Sequence, residues 1–84
     1  MDRIELIMKI GQLLDDLFDY DDNGSEMLHY MSVYRKYEKQ VNNDPYAILR
    51  IASDKELGQY YDDIIAALDD LDIASDNYLY NKYL

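Results

Sequence analysis

The chain has no cysteine and no tryptophan, and only one proline, one phenylalanine, one histidine and three glycines in 84 residues. Each shortage removes a class of protein. Without cysteine there is no disulfide framework, no thiolate zinc site and no cysteine nucleophile. Three scattered glycines cannot build a phosphate-cradling loop. No apolar run approaches the roughly 20 residues that cross a bilayer, so neither a membrane span nor a secretory leader is expected, and the default location is cytoplasmic. Positive charge is scarce as well. Eight Lys and Arg stand against eighteen Asp and Glu, a formal net charge of −10. A nucleic-acid binder needs a basic footprint to release counterions from phosphates, which argues against direct DNA or RNA binding. The same sign argues against docking on anionic lipid.

What is abundant is Asp and Tyr. Fourteen of the eighteen acids are Asp, although Glu is the better helix former, and ten residues are Tyr. Nearly half the chain is apolar when Tyr is counted (49%), so it can fold despite its charge. Its length fits one small domain, residues 1–84.

Apolar periodicity makes that domain all-α, a compact small bundle of about four to five helices. In the first segment, Asp2 to about Phe18, Ile7, Ile10, Leu14 and Leu17 fall on one helical stripe. Gly11 weakens this helix and marks a place where another helix is expected to approach closely. A second helix is expected from Ser25 or Glu26 to about Val41, with Met27, Tyr30, Tyr34, Tyr37 and Val41 spaced three and four apart. Asn42-Asn43-Asp44-Pro45 reads as a stop and a restart into a short helix, about Pro45 to Ala52. Ser53 and Glu56 form a capping box that opens a helix reaching about Leu71 through Leu57, Tyr61, Ile64, Leu68 and Leu71. Ile73-Ala74-Ser75-Asp76 repeats the letters of Ile51-Ala52-Ser53-Asp54 and is expected to be another helix junction. The expected core centre is Ile7, Ile10, Leu14, Leu17, Ile64, Leu68 and Leu71.

Catalysis has little support in these residues. His29 is the lone imidazole, and four serines offer no recognisable elbow or lysine-partner motif. Paired carboxylates abound, but an acid–base pair needs a sizeable substrate cleft, which so small a helical domain is not expected to supply. The chain is read as a non-enzyme without a cofactor. Asp19-Tyr20-Asp21-Asp22-Asn23-Gly24 matches the first half of an EF-hand loop, with Asp19, Asp21 and Asn23 at ligand positions. The closing position twelve is Tyr30 instead of Glu, so no tight calcium site is expected, and a plain turn between helices explains the same letters.

The placement of Asp carries more. Asp15, Asp16, Asp19, Asp21 and Asp22 cluster at the end of the first helix and its turn, and Asp62, Asp63, Asp69, Asp70 and Asp72 line the last long one. Asp62 and Asp69, like Asp63 and Asp70, are seven apart, so each pair shares a face about 10.5 Å apart along the axis. With the helix ends expected above, many of these acids lie near C-termini, where each costs about 0.3–1 kcal/mol. Stability alone favours helix N-termini for such residues. Tyr34, Tyr37 and Tyr61 lie on apolar stripes and are expected in the core. Tyr20, Tyr60, Tyr78, Tyr80 and Tyr83 are harder to bury together, and aromatic anchors among acids are what a protein-binding face, or a homodimer seam, requires.

A small, acidic, cysteine-free chain rich in Asp and Tyr resembles the DNA-mimic inhibitors of phages and mobile elements, of the anti-restriction and anti-CRISPR type. The resemblance lies in composition and size and carries no motif. It implies an inhibitor working in the host-cell cytoplasm on a nucleic-acid-binding protein or nuclease. The residues expected at that partner are Asp15, Asp16, Asp19, Asp62, Asp63, Asp69 and Asp70, with Tyr20 and Tyr60 as anchors. Two other readings stay open: an antitoxin or immunity protein that neutralises a basic toxin, and a helical adaptor or dimerisation module.

Overall fold

The computed structural model describes residues 2–20 and 22–83, with side chains from 2 to 20 and from 23 to 72. Five α-helices lie among them: α1 (Arg3–Phe18), α2 (Asp22–Met27), α3 (Ser32–Tyr37), α4 (Ile48–Ile51) and α5 (Asp54–Tyr83). A single 3-10 turn, Leu28–Tyr30, joins α2 to α3. The described residues contain no strand, and the fold is all-α.

Helix α1 starts where Asp2 accepts a hydrogen bond from the Glu5 amide at 2.8 Å. It packs along the first half of α5, and Ile10, Leu14 and Leu17 meet Leu57, Tyr60, Ile64 and Ala67 in the core. Ile7, Leu68 and Leu71, expected at the centre, are partly buried at its edge. Gly11 does not mark a close helix approach, because a Cβ there would meet nothing within 4 Å.

The expected second helix is broken into three pieces. Met31 takes an extended conformation (φ −96°, ψ 122°) between the 3-10 turn and α3. The break lets Leu28, Met31, Val33 and Tyr34 all reach the core, which one straight helix could not do with residues spaced three, two and one apart. Tyr30, expected on the apolar stripe, is consequently 83% exposed.

Helix α3 ends at Tyr37, short of the expected Val41, and turns lead from there to the expected stop. Asn42 and Asn43 adopt left-handed backbone (φ 54° and 63°), a conformation that Asn tolerates better than most residues. Asp44 Oδ1 accepts the Tyr46 amide at 3.0 Å, a turn that delays the helix to Ile48. The capping box is complete: Ser53 Oγ accepts the Glu56 amide at 3.2 Å, and Glu56 Oε1 accepts the Ser53 amide at 2.9 Å. Arg3 locks this junction to the start of α1, donating to Asp54 Oδ1 at 2.6 Å and to the Ala52 carbonyl at 2.8 Å.

Helix α5 runs without interruption through Ile73-Ala74-Ser75-Asp76 to Tyr83. The repeated letters are therefore not a second junction. At Ala52 an extended residue (ψ 147°) ends α4 and leaves Ser53 free to cap. At Ala74 the helix is already formed, and none of the four residues is a Gly or Pro that would break it.

Candidate partner-binding face

From Leu57 to Asn81 the sequence holds six Asp and no Lys or Arg. In α5 the core takes Leu57, Tyr60, Ile64 and Ala67, so the helical period turns Asp62 and Asp69 to the opposite side, where both are exposed. Asp63 and Asp70 lie toward the 3-10 turn and line a groove with Met27, Tyr30 and Met31. Asp72 lies toward α1. There it lines a second groove with Asp16, Asp19, Tyr20 and Leu68. Asp16 and Asp19 of the first acidic cluster thus meet Asp72 of the second across the α1–α5 seam.

Most cations are placed elsewhere, although exposed Lys55 lies seven residues before Asp62 on the same side of α5, and exposed Lys9 seven before Asp16 on α1. Among the described residues the ion pairs are Arg3–Asp54 and Lys36–Glu56, both at 2.6 Å, and neither reaches this face. Arg35, Lys36 and Lys39 border a cleft at α3 instead. No known protein family, curated protein or solved structure matches the chain.

The residues expected at a partner divide into three groups. Asp16, Asp19, Asp62, Asp69 and Asp70 are exposed, Asp63 is half-buried beside Gln59, which donates to it at 2.8 Å, and Tyr20 is half-buried in the α1–α5 groove. Asp15 is exposed but already has a task, accepting a hydrogen bond from the Tyr46 hydroxyl. That bond, with the Phe18–Tyr46 ring contact (centroids 6.0 Å apart), ties the 44–47 turn to α1. Burial, and then the bond to Asp15, push the Tyr46 hydroxyl up to about 12.

Tyr60 is not an anchor. Its side chain is fully buried, and its hydroxyl donates to the Pro45 carbonyl at 3.3 Å. Burial raises its pKa. The signal was in the spacing, because Leu57, Tyr60, Ile64 and Ala67 form a three-four-three stripe as regular as the one through Tyr61. Asp72 and Tyr30, which were not expected at the partner, both line the grooves of this face. Tyr78, Tyr80 and Tyr83 lie outside the residues whose side chains are described.

The electrostatic cost is also distributed differently. Because α5 continues to Tyr83, Asp69, Asp70 and Asp72 lie inside the helix and escape the C-terminal dipole. Their cost comes from the low helix propensity of Asp and from like charges three apart, as at Asp69 and Asp72. Asp15, Asp16 and Asp19 do occupy the end of α1, which has no basic residue in its last turn.

The half EF-hand pattern resolves into helix packing. Asn23 and Gly24 lie within α2, not in a loop, and Gly24 is buried against the Leu17 carbonyl. Asp21 lies outside the described residues.

Proposed function

We propose that this protein is an acidic inhibitor that occupies the cationic nucleic-acid groove of a partner protein and blocks it by charge mimicry. Partners of this kind include CRISPR effectors, restriction enzymes and other DNA-binding proteins. The observation that carries the reading is the meeting of Asp16 and Asp19 from α1 with Asp72 from α5 around Tyr20, continuous with the outward Asp62 and Asp69. Carboxylates spread over one helix-supported face, where they outnumber Lys9 and Lys55 on the same helix sides, offer a row of negative charge to Lys and Arg that normally hold phosphates. Their field steers association and weakens with salt, while desolvated contacts at Tyr20 slow dissociation.

The test starts with a DNA-binding protein captured from a host lysate on the immobilised full chain. Asp62, Asp63, Asp69 and Asp70 are replaced together by Asn, folding is confirmed by circular dichroism, and inhibition of the captured protein's DNA binding is compared with wild type. Loss of inhibition supports charge mimicry. Unchanged inhibition, or capture of a basic toxin that binds no nucleic acid, supports the toxin-neutralising or adaptor reading instead.

A further inference from the structure

The groove between the 3-10 turn and α5 has features that a uniform acidic surface lacks. Its floor is apolar, made by Met27 and Met31 on one side and by the small residues Ala66 and Ala67 on the other. Its volume is about 190 Å³. Tyr30 stands at its rim with 83% of its surface exposed, the most exposed large apolar side chain among the described residues. Asp63 and Asp70 lie at its two ends, and no Lys or Arg lines it.

The helix sets the spacing. Asp63 and Asp70 are seven residues apart with Ala66 and Ala67 midway, so each Asp Cα lies about 5 Å along the axis from the centre of the floor. A planar guanidinium over that centre extends donors in both directions and can meet a carboxylate on each side. A compact ammonium reaches one carboxylate at a time. The face of Tyr30 favours a delocalised cation, and the alanine and methionine floor accepts the aliphatic stem beneath it.

We infer that this groove receives an arginine side chain of the protein partner, held between Asp63 and Asp70 and covered by Tyr30. The inference rests on the reading that the acidic face meets a cationic groove, and it names the partner group that enters. It also accounts for an exposed Tyr30 beside two carboxylates that no described base neutralises.

The test needs no partner. The full-length protein is titrated with N-acetyl-arginine amide and, separately, with N-acetyl-lysine amide, while backbone amide resonances are followed. Saturable shifts are expected at Tyr30, Met31, Ala66 and Ala67, with the arginine amide bound more tightly. Replacing Asp63 and Asp70 together by Asn is expected to weaken binding about tenfold, equivalent to about 1.4 kcal/mol. Tyr30→Ala, at an exposed position that carries no core packing, is expected to weaken it about threefold. Asp62→Asn with Asp69→Asn is the control and is expected to change it by less than about twofold. Equal loss from the control pair, equal affinity for the lysine amide, or shifts that never saturate would overturn the inference. If the arginine amide binds as described but the protein displaces no DNA from its partner, the groove stands and charge mimicry falls. The reverse result removes only the groove.

Discussion

Gly24 of α2 packs against the last turn of α1 so closely that a Cβ there would sit 2.8 Å from the Leu17 carbonyl carbon and nearer still to its oxygen. No glycine among the described residues has a positive φ, so the demand at Gly24 is for space and not for an unusual backbone. Neither peptide group can yield without shifting a helix. Gly24→Ala is therefore expected to cost about 1–3 kcal/mol or more, read as a lower denaturation midpoint. Gly11 and Gly58 behave in the opposite way, because a Cβ at either would meet nothing within 4 Å. Each Gly→Ala change there is expected to add about 0.4–1 kcal/mol. A Gly24→Ala protein as stable as wild type would contradict this packing.

Tyr60 and Tyr20 predict different phenotypes. Tyr60→Phe removes the hydroxyl that donates to the Pro45 carbonyl and is expected to cost about 0.5–1.5 kcal/mol of stability. It should leave partner affinity unchanged. Tyr20→Ala, in the α1–α5 groove, is expected to speed dissociation of the complex. Surface plasmon resonance on both variants separates the roles, and faster dissociation with Tyr60→Phe alone would reverse the assignment.

Glu56 gives the fold a pH dependence of known sign. Its carboxylate accepts from Lys36 Nζ at 2.6 Å, from the Ser53 amide at 2.9 Å and from the Tyr37 hydroxyl at 2.7 Å. These bonds, the Lys36 one foremost, lower its pKa from 4.5 to about 2. A depressed carboxylate stabilises the fold fully above its unfolded value, and its contribution fades as pH falls from about 4.5 toward 2. In Glu56→Gln that component is absent. The stability difference between wild type and variant should shrink across this window in urea titrations. A difference that stays constant would show that the carboxylate's charge is not what holds α3 to α5.

Helix α1, and α5 as far as Leu71, were legible because their buried residues repeat at three and four, and because Ser53 and Glu56 are an explicit start signal. The run of α5 on to Tyr83 was not, since the letters of its own junction recur at Ile73-Ala74-Ser75-Asp76. The region between the two helices was legible only in part. Met27, Tyr30, Tyr34, Tyr37 and Val41 have the period of one helix, yet burying Leu28, Met31 and Val33 as well required a break at Met31. Local period does not encode which of two competing apolar sets wins. The acidic face was legible as two Asp clusters. Their meeting at Asp16, Asp19 and Asp72 depends on how α1 lies across α5, which is a tertiary fact. The burial of Tyr60 is hidden in the sequence because Tyr60 and Tyr61 both fit the α5 stripe, and the Pro45 carbonyl that takes the Tyr60 hydroxyl comes from a distant turn.

Stability and partner binding should move in opposite directions at the end of α1. Asp16 and Asp19 lie among the unsatisfied carbonyls of a helix C-terminus that has no basic residue in its last turn. Asp16→Asn and Asp19→Asn are each expected to stabilise the free protein by about 0.3–1 kcal/mol at low ionic strength, with the gain shrinking as salt is added. Both are expected to weaken the complex. Asp15→Asn is the exception, since Asp15 accepts the Tyr46 hydroxyl, and there no gain in melting temperature is expected. Uniform destabilisation by all three would mean that these acids hold the fold and are not exposed at its expense.

The most direct test of charge mimicry is a competition at equilibrium. The captured partner is titrated with labelled DNA at several fixed concentrations of the full-length protein, at constant ionic strength. Competition for one groove predicts that the apparent Kd for DNA rises in proportion to the protein concentration, without a plateau and without a ternary complex. A DNA affinity that stays constant while the protein remains bound would contradict it.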